Sequence, residues 1–154
     1  MNHPPMRSLV PHAPPMLLLD EMCSYESTRS ACRLTVRADS TFSGERGVPA
    51  YVALEYMAQA VAAHGGRRSL AGGAPAKIGF LLGTRRITLA RSHFAPGTDL
   101  RVEVEAEGVD EDPRLFTCRV RDEMTGEIVA EARIGVLLPE DPDALIEARE
   151  SVRP

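Results

Sequence analysis

Paired cysteines are missing. Cys23, Cys32 and Cys118 are odd in number and show no C-x-x-C spacing, so neither a disulfide framework nor a thiolate zinc site is indicated, and three reduced thiols are expected. An excess of positive charge is missing too. Lys and Arg number 18 against 22 Asp and Glu, a net charge of -4 with no long basic stripe, which argues against a nucleic-acid binder. No stretch reaches the roughly 18 uncharged apolar residues that a membrane span needs, and Met1 to Arg7 holds no apolar signal core, so a cytoplasmic location is expected. Tryptophan is absent and aromatics make up 5%, yet 44% hydrophobic and 26% charged residues are ordinary for a soluble globular protein. There is no internal repeat, and no cluster suggests a metal.

What is present fits one domain of 154 residues. Its organising stretch runs from Pro49 to His64 and reads as one helix, apolar almost all round and therefore buried. Pro49 suits a first helical position, and Gly65-Gly66 suits a stop. Only Glu55 and Gln59 are strongly polar at its centre, four residues apart and so on one face. An unpaired buried charge is expensive, so Glu55 is expected to be hydrogen-bonded, neutralised, or placed in a cleft where chemistry uses it.

The rest reads around that helix. Five prolines, at positions 4, 5, 11, 14 and 15, favour an extended opening segment over a regular helix. Met16 to Asp20 is a short apolar run whose type periodicity does not decide, and Ala31 to Arg37 partly alternates, as a half-buried strand does. Residues 39 to 47 read as a loop into the helix, and 67 to 76 as an exposed connection after it. Then come strands: Ile78 to Gly83, Arg85 to Leu89, Leu100 to Glu107 with alternation throughout, Leu115 to Arg121 as its antiparallel partner, and Ile128 to Leu138. Pro96-Gly97 and Thr125-Gly126 mark reversals. The class is α+β, a curved antiparallel sheet wrapped around one long central helix, with a single domain over residues 1–138 and an acidic tail over 139–154 that is either a short helix or disordered.

Pro11-His12 with Pro15-Met16-Leu17-Leu18-Leu19-Asp20 comes first, Pro49-Ala50 with Glu55-Tyr56-Met57-Ala58-Gln59 next, then Gly79-Phe80-Leu81-Leu82-Gly83 and Pro96-Gly97-Thr98-Asp99-Leu100. That order, from about residue 9 to 138, resembles the hot-dog-fold 3-hydroxyacyl-acyl-carrier-protein dehydratases, and most of all their ApeP-like branch, linked to aryl-polyene synthesis. The resemblance implies a hot-dog fold, acyl tunnels at a dimer interface, and a substrate carried on the phosphopantetheine of an acyl carrier protein, with no cofactor of the protein's own. It implies a homodimer, or alternatively a heterodimer with a homologous dehydratase. It places the acidic catalytic residue at Glu55 and substrate contacts at Pro49, Ala50, Tyr51, Gln59, Gly79, Phe80, Leu81, Leu82 and Gly83. FabZ-type members carry Gly-His-Phe-Pro-Gly before the helix; here Phe42 to Pro49 has no histidine, and Glu45 lies near its place.

Dehydration of a 3-hydroxyacyl thioester needs a base for the α-proton, an acid for the leaving hydroxyl and donors for the thioester oxygen. Glu55 suits the acid, and free N–H groups near Ala50 and Tyr51 suit the oxygen. The base is open among the four histidines, with Glu45 and His12 as secondary catalytic candidates: His3 lies near the start of the chain, His12 is read first as a structural residue, His64, nine residues from Glu55 and half a turn out of phase, faces away, and His93 is the weakest candidate. A basic set, Arg67, Arg68, Lys77, Arg85, Arg86 and Arg91, suits an acidic carrier or simply solvent. A hot-dog thioesterase and a non-catalytic carrier-binding partner subunit are the alternatives.

Overall fold

The computed structural model describes residues 2–73, 80–108 and 114–137. Its elements are α1 (Met6–Leu9), β1 (Glu21–Tyr25), β2 (Arg29–Thr35), β3 (Val48–Pro49), a 3-10 turn (Ala50–Val52), α2 (Ala53–Ala71), β4 (Phe80–Leu89), β5 (His93–Phe94), β6 (Asp99–Glu107), β7 (Arg114–Asp122) and β8 (Ile128–Leu137). Six strands form one antiparallel sheet in the order β1-β2-β6-β7-β8-β4, and β3 pairs with β5 in a separate two-stranded ladder. The α+β class and the central helix expected from the pattern are the observed architecture.

Alternation makes the two faces of the sheet unlike. Leu100, Val102 and Val104 of β6, Phe116, Cys118 and Val120 of β7, and Ala132, Ile134 and Val136 of β8 are buried. They share one core with Ala53, Tyr56, Met57, Ala60 and Ala63 of α2. The other face carries charge paired across strands: Arg121 Nε donates to Glu103 at 2.9 Å, Arg119 Nε to Glu131 at 2.8 Å, and Arg133 Nε to Glu107 at 2.9 Å. The Arg133 guanidinium holds the Glu107 carboxyl below the usual carboxylate range.

Several boundaries differ from the sequence reading, each for a physical reason. Gly65-Gly66 does not end the helix, which continues to Ala71 and closes where the Gly72 N–H reaches back to Arg68 O. Gly66 is a contact glycine: a Cβ there would lie 1.9 Å from the Leu9 carbonyl oxygen, so its missing side chain lets the opening segment lie against α2. Residues 67–71 are therefore helical rather than part of an exposed connection. Pro49 is extended, at φ -55° and ψ 134°, and belongs to β3, with the 3-10 turn between it and α2. The proline-rich opening segment folds one helical turn, α1, and buries Met6 and Leu9. The two short strands expected between 78 and 89 are one strand, β4, broken by register shifts between Leu81 and Gly83 and between Thr84 and Ile87. The Asp110–Pro113 turn and the tail at 139–154 lie outside the described residues. Among the described residues no helix is long and apolar enough to cross a membrane, and no group of side chains could hold a metal.

Candidate active site

The start of α2 is fixed from two sides. Val48 and Pro49 pair with Phe94 and His93, and the Ala50 N–H donates to the Ser92 carbonyl at 2.9 Å. Gly47, at φ 99°, makes the entry possible, because a Cβ there would lie 2.1 Å from the Phe94 carbonyl oxygen. From this anchored start Tyr51, Glu55 and Gln59 recur at four-residue steps and share one face.

Gln59 organises that face. It is 0% exposed, and its amide is used on both sides: Nε2 donates to the Met16 carbonyl at 2.7 Å and to Glu55 Oε1 at 3.0 Å, while Oε1 accepts from the Leu18 N–H at 2.9 Å. The oxygen must face the backbone donor and the nitrogen the backbone acceptor, so the network itself sets the amide orientation. A buried amide left unpaired costs about 1–3 kcal/mol; satisfied this way, it ties residues 16–18 to the helix. The same tie delivers His12. Its Nε2 stands 3.4 Å from Glu55 Oε1, and the two side chains remain 28% and 35% exposed. The His12 Nδ1 is enclosed and takes no partner among the described residues.

This geometry corrects parts of the sequence reading. Glu55 is hydrogen-bonded, as expected, by Gln59, but it is about one-third exposed rather than buried and also meets His12. The Ala50 N–H, expected to be free for a thioester oxygen, is taken by Ser92. At this end no side chain caps the turn, and the Tyr51 N–H takes no partner among the described residues. Glu45 is exposed in its loop and makes no contact with Glu55 or His12 among the described residues. Gly79 lies outside the described residues, Phe80, Leu81 and Leu82 are described only through the backbone of β4, and Gly83, exposed with φ 144°, stands at a register shift of that edge strand.

The other histidines and the basic set have separate places. His64 is 0% exposed, with Nδ1 3.0 Å from Ser30 Oγ and its ring between Tyr25 at 5.2 Å and Phe116 at 6.0 Å; burial pushes it down to about 4. His93 lies in β5 with Nδ1 3.1 Å from Ser92 Oγ. Arg91 pairs with Asp122 at 2.8 Å and Glu127 at 3.1 Å, which makes it a brace between the β7–β8 turn and the loop at 91 rather than a free cation. Arg67 lies 5.1 Å over the Tyr25 ring. Lys77 is outside the described residues.

A cavity of about 340 Å³ opens one step further round the helix, between the opening segment, β2 and the 37–41 loop, and Tyr56 is part of its wall. Sequence reasoning did not single out Tyr56; its adjacency to Glu55 on a helix, about 100° round, was the available signal. An imidazole and a carboxyl at 3.4 Å, both partly exposed, form a pair able to move protons to and from a bound molecule.

A family model described as ApeP-like, ApeP dehydratase, matches residues 4–147. Among solved structures, the dehydratase heterocomplex ApeI:P from Xenorhabdus doucetiae matches at TM-score 0.88 and 25% identity, covering 96% of this chain and 99% of that chain. Two further matches share the fold alone. One is a hypothetical thioesterase with coenzyme A from Streptococcus pneumoniae, at TM-score 0.61 and 10% identity, covering 77% of this chain and 84% of that chain. The other is the PaaI protein of the phenylacetic acid degradation operon of E. coli, at TM-score 0.60 and 14% identity, covering 76% and 81%. No curated protein matches the chain by sequence. With a family model spanning nearly its whole length and a matched dehydratase superimposing on nearly all of it, this hot-dog-fold chain belongs to the ApeP-like dehydratase family.

Proposed function

We propose that the protein dehydrates 3-hydroxyacyl thioesters carried on the phosphopantetheine of an acyl carrier protein, in acyl-chain building of the fatty-acid or aryl-polyene type, with His12 and Glu55 as its proton-transfer pair. The observation that carries this is the 3.4 Å approach of His12 Nε2 to Glu55 Oε1 in a chain of a dehydratase family whose loop before the helix holds no histidine. His12, reached from the opening segment, supplies the base that the loop lacks.

In the reaction, Nε2 of neutral His12 takes the proton from the carbon next to the thioester carbonyl. The electron pair of that C–H bond becomes the new C=C bond, and the C–O bond to the hydroxyl breaks. Glu55, protonated at the start, gives its proton to the departing oxygen, which leaves as water. The cycle ends with a protonated imidazole and a carboxylate, and one proton passing between them restores the starting pair. Charge building on the thioester oxygen is met by the Tyr51 N–H at the start of the helix, where the backbone dipole favours negative charge. General acid–base groups of this kind contribute about 10²–10⁴-fold each.

The matched heterocomplex of dehydratases supports an assembly in which this chain pairs with a homologous dehydratase subunit. Among the described residues β1 and β4 are the outer strands of the sheet, and their edges are the ones open to such a subunit. The test is a spectroscopic assay of 3-hydroxyacyl-carrier dehydration, or of the reverse hydration, with the chain alone and with the second subunit. Turnover lost in folded Glu55→Gln and His12→Gln variants is expected. Release of free thiol instead of an enoyl product would make the protein a thioesterase and overturn the reading.

A further inference from the structure

Asp122 is the one carboxylate among the described residues that the fold encloses, at 6% exposed. An enclosed carboxylate without partners is expensive, and this one divides its two oxygens between two tasks. Oδ1 accepts the Met124 N–H at 2.9 Å and the Thr125 N–H at 3.2 Å, which holds the turn between β7 and β8. Oδ2 stands 2.8 Å from Arg91 Nη1. Arg91 also reaches Glu127 Oε2 at 3.1 Å through Nη2, but that carboxylate is half exposed, and surface pairs of this kind contribute little. The Asp122 contact is therefore the one that fixes Arg91.

What Arg91 holds is the segment against which the helix starts. After β4 ends at Leu89 the chain leaves the large sheet: the Ala90 N–H still donates to the Val129 carbonyl at 2.9 Å, and at His93 the chain is already in the β3–β5 ladder, opposite Pro49. Between these attachments the Ser92 carbonyl accepts the Ala50 N–H at 2.9 Å. With that N–H taken, the Tyr51 N–H is the next donor in line and meets no partner among the described residues. The contacts from Asp122 to Arg91 and from Ser92 to Ala50 thus connect a turn of the sheet to the donor that meets the thioester oxygen. Among the described residues neither Asp122 nor Arg91 contacts His12 or Glu55.

We propose that Asp122 and Arg91 are positioning residues for the thioester oxygen: their contact places the Ser92 carbonyl, which holds the Ala50 N–H and so aims the Tyr51 N–H. The proposal rests on the dehydratase reading above and adds to it two residues that lie outside the proton-transfer pair. A donor aimed at developing charge acts through its placement, so loss of this brace is expressed in the chemical step rather than in binding.

The test begins with Asp122→Asn. That variant is nearly isosteric, keeps an oxygen for the Met124 and Thr125 N–H groups, and turns an amide nitrogen toward the guanidinium, so it breaks the brace and spares the turn. Arg91→Lys, which keeps the charge without the fork, gives the same comparison at smaller amplitude. Thermal unfolding identifies the folded variants. Amide exchange is read first, on the full chain without substrate: in Asp122→Asn the Ala50 amide is expected to accelerate about tenfold more than the amides of β6, which lies inside the sheet. Turnover of a 3-hydroxyacyl-carrier thioester follows, with the chain alone and with the second subunit. There kcat is expected to fall about tenfold with KM within about twofold, and Glu127→Gln is expected to stay within about twofold in both. Ala50 exchange that changes no more than that of β6 overturns the positioning role and leaves the dehydratase reading standing. So does faster exchange with kcat unchanged, or a loss carried by KM alone. Wild type without dehydration in either assembly overturns the dehydratase reading and this proposal with it, whatever the exchange shows.

Discussion

Two histidines meet the α2 helix, one on each side, and their settings are opposite. His12 comes from the opening segment, keeps about a quarter of its side chain exposed, and faces a carboxylate at 3.4 Å. His64 belongs to the helix itself, is fully enclosed by Tyr25, Phe116 and Ser30, and has a hydroxyl as its polar neighbour. An imidazole with access and a carboxyl beside it can exchange protons during a reaction; one sealed in the core is held neutral and serves packing. Neutral packing has a consequence under acid, and access has one under turnover.

The comparison breaks most sharply at Glu55. Glu55→Gln keeps the size and the contact with Gln59 but removes the acid, and is expected to lower the dehydration rate about 10²–10⁴-fold with unfolding unchanged. His12→Gln is expected to act in the same range, whereas His64→Gln should leave the rate of the folded protein within a few-fold; a rate collapse there with His12→Gln active would exchange the two roles.

Acid tests the other side. His64 moves from an ordinary 6.5 to about 4 on folding. The unfolded chain therefore binds its proton first as pH falls. The stability from holding His64 neutral is fully present above pH 6.5 and is lost between there and about 4, a loss of up to about 3 kcal/mol. Urea unfolding across that interval should show it, and His64→Phe should flatten the slope.

A smaller effect tests the tie between the two regions. Gln59→Leu leaves the Met16 carbonyl and the Leu18 N–H unpaired, at about 1–3 kcal/mol, and frees the segment carrying His12. Faster amide exchange at residues 16–18 and about a tenfold fall in rate are expected. A last contrast, without an expected effect on the rate, concerns neighbouring glycines. Gly65, with nothing within 4 Å of an added Cβ, should accept Ala and gain up to about 1 kcal/mol. Gly66→Ala should lose about 1–3 kcal/mol against the Leu9 backbone. Equal responses in thermal unfolding would remove the contact role of Gly66.

How much was legible follows from the range of each signal. Period-two alternation in Leu100–Glu107 and Leu115–Arg121 made β6 and β7 readable to within a residue or two, because one sheet face is buried and the other is charged. The apolar surround of α2 made its burial readable, but not its end: Gly66 looks like a stop to local propensity, and only the distant Leu9 carbonyl explains why the helix continues. Glu55 and Gln59 were legible as one polar face because their spacing is local. The pairing of His12 with Glu55 was not, since it depends on how Gln59 fastens a segment some forty residues away in sequence. The same locality explains the error at Ala50, whose N–H looks free at a helix start and is taken by Ser92 of another loop.

The charged outer face of the sheet also bears on how this molecule meets others. Glu103 and Glu131 are each matched to an arginine of the adjacent β7, and Glu107 is reached by Arg133 of β8 across β7, so much of the charge on that surface is already paired. Association is thereby steered away from the broad side of the sheet and toward its rims and the mouth of the helix, where Tyr51 stands 68% exposed. The lattice of ion pairs thus acts less as a brace than as a direction sign, leaving the side that holds His12 and Glu55 the less occupied one.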